Sequence, residues 1–128
     1  VIDGGLRLLF AKNIAGHWQS VETFATGRGV PDANYCLDGA EGWVEFKRVN
    51  GWQVEVRPEQ VAWAERRRRN GGRVFLAARK AKFLWLFDGA DVRLVMGPAG
   101  VRSNAVLLHA AGGPQKWPWA AIRDLLRA

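Results

Sequence analysis

Gly27-Arg28-Gly29-Val30-Pro31-Asp32 is followed, after twelve residues, by Glu45-Phe46-Lys47. The first stretch is a glycine-rich turn ending in Pro-Asp. The second lies inside Gly42 to Val49, the clearest strand pattern in the chain. Side chains alternate across a strand, so Trp43, Glu45, Lys47 and Val49 share one face, and Val44 and Phe46 the other. Glu45 and Lys47 are then neighbours about 6–7 Å apart along the strand. A carboxylate and an ammonium inside an apolar strand are costly unless something satisfies them.

Asp32 opens a second expected strand, Asp32 to Leu37, and Asp38-Gly39 is a turn signal. If that turn pairs the two strands, Asp32 and Glu45 meet at one edge of the sheet. Pro31 fixes the backbone there, and Gly29 leaves room for another backbone to approach. Two carboxylates with waters and a phosphate oxygen make an oxygen-rich site suited to Mg²⁺. A metal there would lower the pKa of a bound water and polarise a phosphate. Lys47 would hold that water or stabilise charge in the transition state. Each part also has an ordinary reading: a surface ion pair for Glu45 and Lys47, a turn-capping aspartate for Asp32. The conjunction, in adjacent apolar strands and in this order, favours a site.

Outward from this centre, Leu6 to Ile14 reads as a helix ended by Ala15-Gly16, with Arg7 and Lys12 off the apolar stripe. His17 to Thr26 reads as a strand. Asn50-Gly51 is a hairpin signal, with Trp52 to Val56 as a short returning strand. Arg57-Pro58-Glu59-Gln60 opens a helix running to about Asn70, where Gly71-Gly72 stops it. Arg73 to Ala78 and Phe83 to Phe87 are apolar runs of strand length. Val92 to Met96 follows a turn at Asp88-Gly89, Gly97 to Asn104 is a loop, and Val106 to His109 is ambiguous. Trp119 to Leu126 is an amphipathic helix introduced by Pro118. The order α-β-β-β-α-β-β-α predicts a single α/β domain with a mixed central sheet flanked by helices.

Size and composition agree. The chain has 128 residues, 48% hydrophobic and 24% charged, which suits one globular domain with one core. No apolar run approaches the roughly 20 residues of a membrane span. Val1 to Phe10 has no secretory pattern; the chain starts at Val1 and not at Met, which leaves room for residues ahead of it. Cys36 is the single cysteine, expected to be a buried thiol in a reducing, cytoplasmic compartment. His17 and His109 lie far apart, which argues against zinc. The net charge of +7 makes nucleic acid the first partner to consider, because phosphate contacts release counterions. An anionic membrane surface and an unpartnered basic surface are the competitors.

The residues also carry a resemblance. Gly29-Val30-Pro31-Asp32, Trp43-Val44-Glu45-Phe46-Lys47, Arg57-Pro58-Glu59-Gln60-Val61-Ala62-Trp63 and Gly71-Gly72 together resemble the PD-(D/E)xK nuclease superfamily. The nearer likeness is to its VRR-NUC branch, related to Holliday junction resolvases and including small phage proteins. It is strongest from about residue 20 to residue 80. It implies a restriction endonuclease-like core and Mg²⁺- or Mn²⁺-dependent hydrolysis of DNA. It implies metal coordination by Asp32, Glu45 and the main-chain carbonyl of Phe46, with Lys47 as catalytic lysine and Gln60 orienting water or phosphate. An acid near the first helix is also implied. Asp3 is the positional match, although the family usually has glutamate there and an aspartate can simply cap the helix. Glu22 is a second candidate.

DNA contacts need closer reading. Arg66 to Arg69 form four arginines in a row, but successive helical residues are about 100° apart, so they circle the axis. Arg67 is on the Gln60 face and is the best placed of them. Arg28, Arg48 and Arg57 flank the centre and suit phosphate contacts that position DNA without reading its sequence. Trp43 and Trp85 are expected in the core. Trp117 and Trp119 either pack the last helix or form a subunit interface. The expectation is a metal-dependent endonuclease of branched DNA, Holliday junction or flap, acting as a homodimer. The alternative is a DNA-binding module that keeps the fold without cleavage.

Overall fold

Leu6 and Phe10 stand four residues apart, one turn along a helix, and Ile14 continues their line; all three are buried. They form the inner stripe of α1 (Leu6–Asn13) and its C-cap. The computed structural model describes residues 3–21 and 28–128. After α1 come β1 (His17–Ser20), β2 (Ala33–Leu37) and β3 (Ala40–Arg48). Asp38 and Gly39 both have positive φ, 49° and 85°, as a two-residue type I′ hairpin turn requires. The register therefore runs from Leu37 opposite Ala40 to Ala33 opposite Val44. Asp32, one residue beyond β2, falls beside Glu45.

Helix α2 (Pro58–Arg69) carries the chain from β3 to β4 (Arg73–Lys80), which lies parallel to β3. Then follow β5 (Phe83–Asp88), a one-turn helix α3 (Val92–Val95), β6 (Leu108–Ala110) and α4 (Trp119–Arg127). The sheet order is β1-β2-β3-β4-β5-β6, and every neighbour pair except β3–β4 is antiparallel. Val44, Phe46, Phe75 and Ala77 face one core, closed by α1 and α4. Leu76, Ala78, Trp85 and Phe87 face another, closed by Val61 of α2 and by Val92 and Val95 of α3. The protein is thus a mixed α/β fold with helices on both faces of one sheet, as the sequence pattern predicts.

Three local expectations are corrected, and one open reading is resolved. Trp52 to Val56 is not a strand: its backbone bonds to later segments and not to β3, the Val54 N–H donating to the Val95 carbonyl and the Trp52 carbonyl accepting from the Val101 N–H. Instead this segment crosses irregularly to α2. The ambiguous Val106 to His109 region yields a short edge strand, Leu108–Ala110, on β5. Asp32 precedes β2 instead of opening it. Cys36 is a free thiol but only half-buried, because the second core contains no residue of β1 or β2.

The first strand is described as far as Ser20, after which the Val21 N–H bonds to the Asp32 carbonyl. The rest of the predicted His17 to Thr26 strand, including Glu22, lies outside the described residues from residue 22 onward. No helix among the described residues is long and apolar enough to cross a membrane.

Candidate active site

Strand alternation turns Glu45 and Lys47 toward α2, while Val44 and Phe46 enter the core beneath α1. The hairpin register brings Asp32 alongside. The Asp32 N–H donates to Glu45 Oε1 at 3.1 Å, and the Phe46 N–H donates to Asp32 Oδ2 at 2.9 Å. N–H and C=O of one strand residue point to the same edge. The Phe46 carbonyl is therefore on the Asp32 side, where the implied metal ligand is needed.

Gln60 occupies the third position of α2. Its Oε1 accepts from the Arg57 N–H at 3.0 Å, the reciprocal half of a capping box. The same oxygen accepts from Lys47 Nζ at 3.2 Å, and Gln60 Nε2 donates to Glu45 Oε2 at 2.8 Å. Lys47 Nζ also lies 3.1 Å from Glu45 Oε2. Glu45, Lys47 and Gln60 therefore form a closed circuit of bonds, with Asp32 attached through its backbone. Both acceptor sites of the Gln60 oxygen and one of its two amide protons go to protein partners, so Gln60 fixes the placement of Glu45 and Lys47. Lys47 has three protons and two described partners, so one proton is available to a ligand.

Gly29 makes this convergence possible. Its φ is 85°, and a Cβ there would stand 2.1 Å from the Glu59 carbonyl oxygen. The loop before Asp32 thus lies directly against the start of α2, which only glycine permits.

Electrostatics follow from this crowding. Burial first, and then the negative charge of Asp32, push the Glu45 carboxyl up to about 7, against the pull of Lys47. Burial also raises Asp32; the Phe46 N–H and the Lys47 charge oppose the rise, and the Asp3 charge adds to it. Two such carboxylates beside a peptide carbonyl are a hard-oxygen donor set, and a divalent cation between them would relieve the repulsion. The residues therefore fit the implied Mg²⁺ or Mn²⁺. A third carboxylate ligand is not in place: among the described residues, no three His, Cys, Asp or Glu side chains gather closely enough to hold a metal ion.

The centre opens on a cleft of about 1320 Å³ lined also by Asp3, Arg7 and residues 53–58. Asp3 both lines it and bonds to the start of its own helix: Oδ1 accepts from the Gly5 N–H at 2.8 Å and Oδ2 from the Arg7 N–H at 3.3 Å. The N-cap itself is Gly5, and Asp3 completes no group of three metal-ligating side chains among the described residues.

The proposed DNA contacts divide. Arg57 lines the cleft, whereas Arg28 and Arg48 are exposed outside its lining. The Arg67 guanidinium lies 4.5 Å from the Trp63 ring centre and 5.5 Å from that of Trp43. It is two helical turns from Gln60, at the far end of α2. Arg68 pairs with Asp88 at 2.9 Å, and Arg66 and Arg69 are exposed. Trp117 and Trp119 pack α4 and donate to the Lys82 and Pro114 carbonyls. Sequence reading missed Arg7 and Glu55 in the cleft. Arg7 had a usable signal, its four-residue offset from Asp3. Glu55 had none, since its segment reads as a strand. No protein-family model, curated protein or solved structure matches the chain.

Proposed function

We propose that the protein is a metal-dependent endonuclease that hydrolyses DNA phosphodiesters, acting on branched DNA as a homodimer. The observation that carries this reading is the bonded circuit of Glu45, Lys47 and Gln60, with Asp32 at its side, on the wall of an open cleft. A buried carboxylate, Glu45, beside a half-buried one, Asp32, and paired with a lysine has little structural use, because burying charge costs stability. It has a clear use where a cation and a phosphate must meet.

Asp32, Glu45 and the Phe46 carbonyl would hold Mg²⁺ or Mn²⁺. That ion supplies charge neutralisation on the phosphate and an acidified water. Lys47 directs its remaining proton into the cleft, where it stabilises the extra negative charge of the transition state. Gln60 keeps Glu45 and Lys47 in register. Arg57 and Arg7 line the cleft and suit the flanking phosphates, and Arg28 and Arg48 extend the basic surface. Branched DNA and the dimer belong together in this proposal, since resolving a junction takes two coordinated cuts.

The test is cleavage of four-way junction, flap and linear duplex with Mg²⁺, Mn²⁺ or EDTA, alongside Glu45→Ala and Lys47→Ala. Metal-dependent products from the wild type alone support the proposal. Binding that persists with no product under any metal assigns the protein to a non-catalytic DNA-binding module. A monomer at micromolar concentration that cuts single flaps retains the nuclease and removes the resolvase.

A further inference from the structure

We propose that a slot between Trp52 and the aromatic group Phe83, Trp85 and His109 binds an unpaired nucleobase of single-stranded DNA. The proposal deepens the nuclease reading, on which it rests, by giving its substrate a single-stranded portion.

Three rings form a compact triangle on the outer strands of the sheet, with Phe83 and Trp85 centres 5.9 Å apart. Trp85 and His109 are cross-strand partners on β5 and β6, with ring centres 4.8 Å apart and planes inclined by 17°. Phe83, two residues before Trp85 on the same face, lies 5.8 Å from His109 with planes inclined by 19°. Trp85 is buried, but Phe83 is 42% exposed. Trp52 borders the same cavity and is 43% exposed. The cavity is about 350 Å³, at the small end of ligand pockets. The exposed aromatic surface of Phe83 and Trp52 around a concave space suits a flat aromatic guest better than water.

Charge narrows the guest. Lys80 Nζ lies 4.1 Å from the Trp52 ring centre, and the Arg102 guanidinium lies 4.6 Å from it. Arg102 lines the slot, and among the described residues no carboxylate does. Aromatic faces flanked by cations match a base attached to a phosphate backbone. His109 adds a polar edge. Its Nδ1 is 3.1 Å from the Leu84 carbonyl, which can only accept, so Nδ1 donates there and Nε2 is the nitrogen left for a guest.

Position connects the slot to the cleft. Trp52 lines the slot, and the next residue, Gln53, lines the catalytic cleft. One segment between β3 and α2 therefore forms part of both. The Trp52 carbonyl accepts from the Val101 N–H at 2.8 Å, which fixes that segment against the slot's own wall.

Binding of an oligodeoxythymidine about ten nucleotides long is compared with that of a base-free oligomer of equal length, in EDTA at fixed salt. Wild type is expected to bind the base-containing strand more tightly. Phe83→Ala and Trp52→Ala are expected to weaken that binding about 5- to 150-fold, the range for one stacked base. Both leave the base-free strand unaffected. Equal binding of the two strands by wild type, no binding of either, or variants that retain the preference would overturn the proposal. Both variants alter exposed side chains, and circular dichroism checks that each is folded. Because EDTA excludes cleavage, the two readings fail separately. Base-dependent binding without Mg²⁺-dependent cutting removes the nuclease, while cutting without base-dependent binding removes the slot.

Discussion

Gln60 Nε2 donates to Glu45 Oε2 at 2.8 Å, joining the start of α2 to the middle of β3 at the cleft wall. The same amide caps its helix through the Arg57 N–H. Gln60→Ala therefore removes a helix cap and a bond to a buried carboxylate at once. The expected loss of stability is about 1–3 kcal/mol, read from urea midpoints. Mg²⁺ affinity should fall about 10- to 100-fold, since an orienting partner of a ligand is lost. Unchanged stability together with unchanged Mg²⁺ affinity would exclude both roles.

The raised Glu45 carboxyl sets a pH dependence. In the unfolded chain it titrates at 4.5, and in the fold at about 7. Between these values the folded state holds a proton that the unfolded state has released. Metal-free stability must therefore fall as pH rises from 4.5 toward 7 and level off above it. The shift corresponds to at most about 3 kcal/mol. Asp32, also raised, adds to the fall in the same direction. Denaturation in EDTA across this range measures the slope, and Glu45→Gln should flatten most of it.

Metal should reverse that loss. Mg²⁺ binds the ionised carboxylates, so its stabilisation is expected to be greater near about pH 8 than near about pH 5. At about one hundred times its dissociation constant it should add about 2.7 kcal/mol. Asp32→Asn and Glu45→Gln should each abolish the thermal shift. A shift that survives both substitutions would place the metal elsewhere.

Lys47 opposes the upward push on Glu45. Lys47→Met keeps the length of the side chain and removes the charge, so the Glu45 carboxyl should titrate higher than in wild type. Carbon-detected titration of the glutamate reports this directly. Cleavage should fall about 10²- to 10³-fold, as for loss of one charge-stabilising donor. A lowered Glu45 pKa would contradict the geometry.

Gly29→Ala tests the packing that delivers Asp32. A methyl group would meet the Glu59 carbonyl at 2.1 Å, in a backbone conformation that L-residues avoid. Destabilisation of about 2 kcal/mol or more is expected, with loss of metal binding as Asp32 is displaced. Gly51→Ala serves as the control, because a methyl group there would meet nothing within 4 Å.

The centre was readable where local rules fix geometry. The two-residue turn at Asp38-Gly39 sets the hairpin register, which then places Asp32 beside Glu45. Alternation alone puts Glu45 and Lys47 on one face. The limits were equally physical. Asn50-Gly51 has hairpin chemistry, but the segment after it bonds to Val95 and Val101 instead of β3, and those partners lie far along the chain. Arg67 shares a helix face with Gln60 yet ends on Trp43 and Trp63, because side-chain length and aromatic neighbours are not visible in periodicity. The partners of Gln60 could not be read either, since a single amide bridging three groups depends on the exact depth of α2 against β3.

The double engagement of Gln60 has a consequence for the newly made chain. The bonds that begin α2 are also the bonds that align Glu45 with Lys47, so the centre cannot form ahead of that helix. The buried face of α2, through Val61, packs in one core with Leu76 and Ala78 of β4, which follows it in the chain. A ribosome-bound chain that ends before residue 80 thus carries all four central side chains and no assembled centre. Synthesis itself delays competence until the sheet is built.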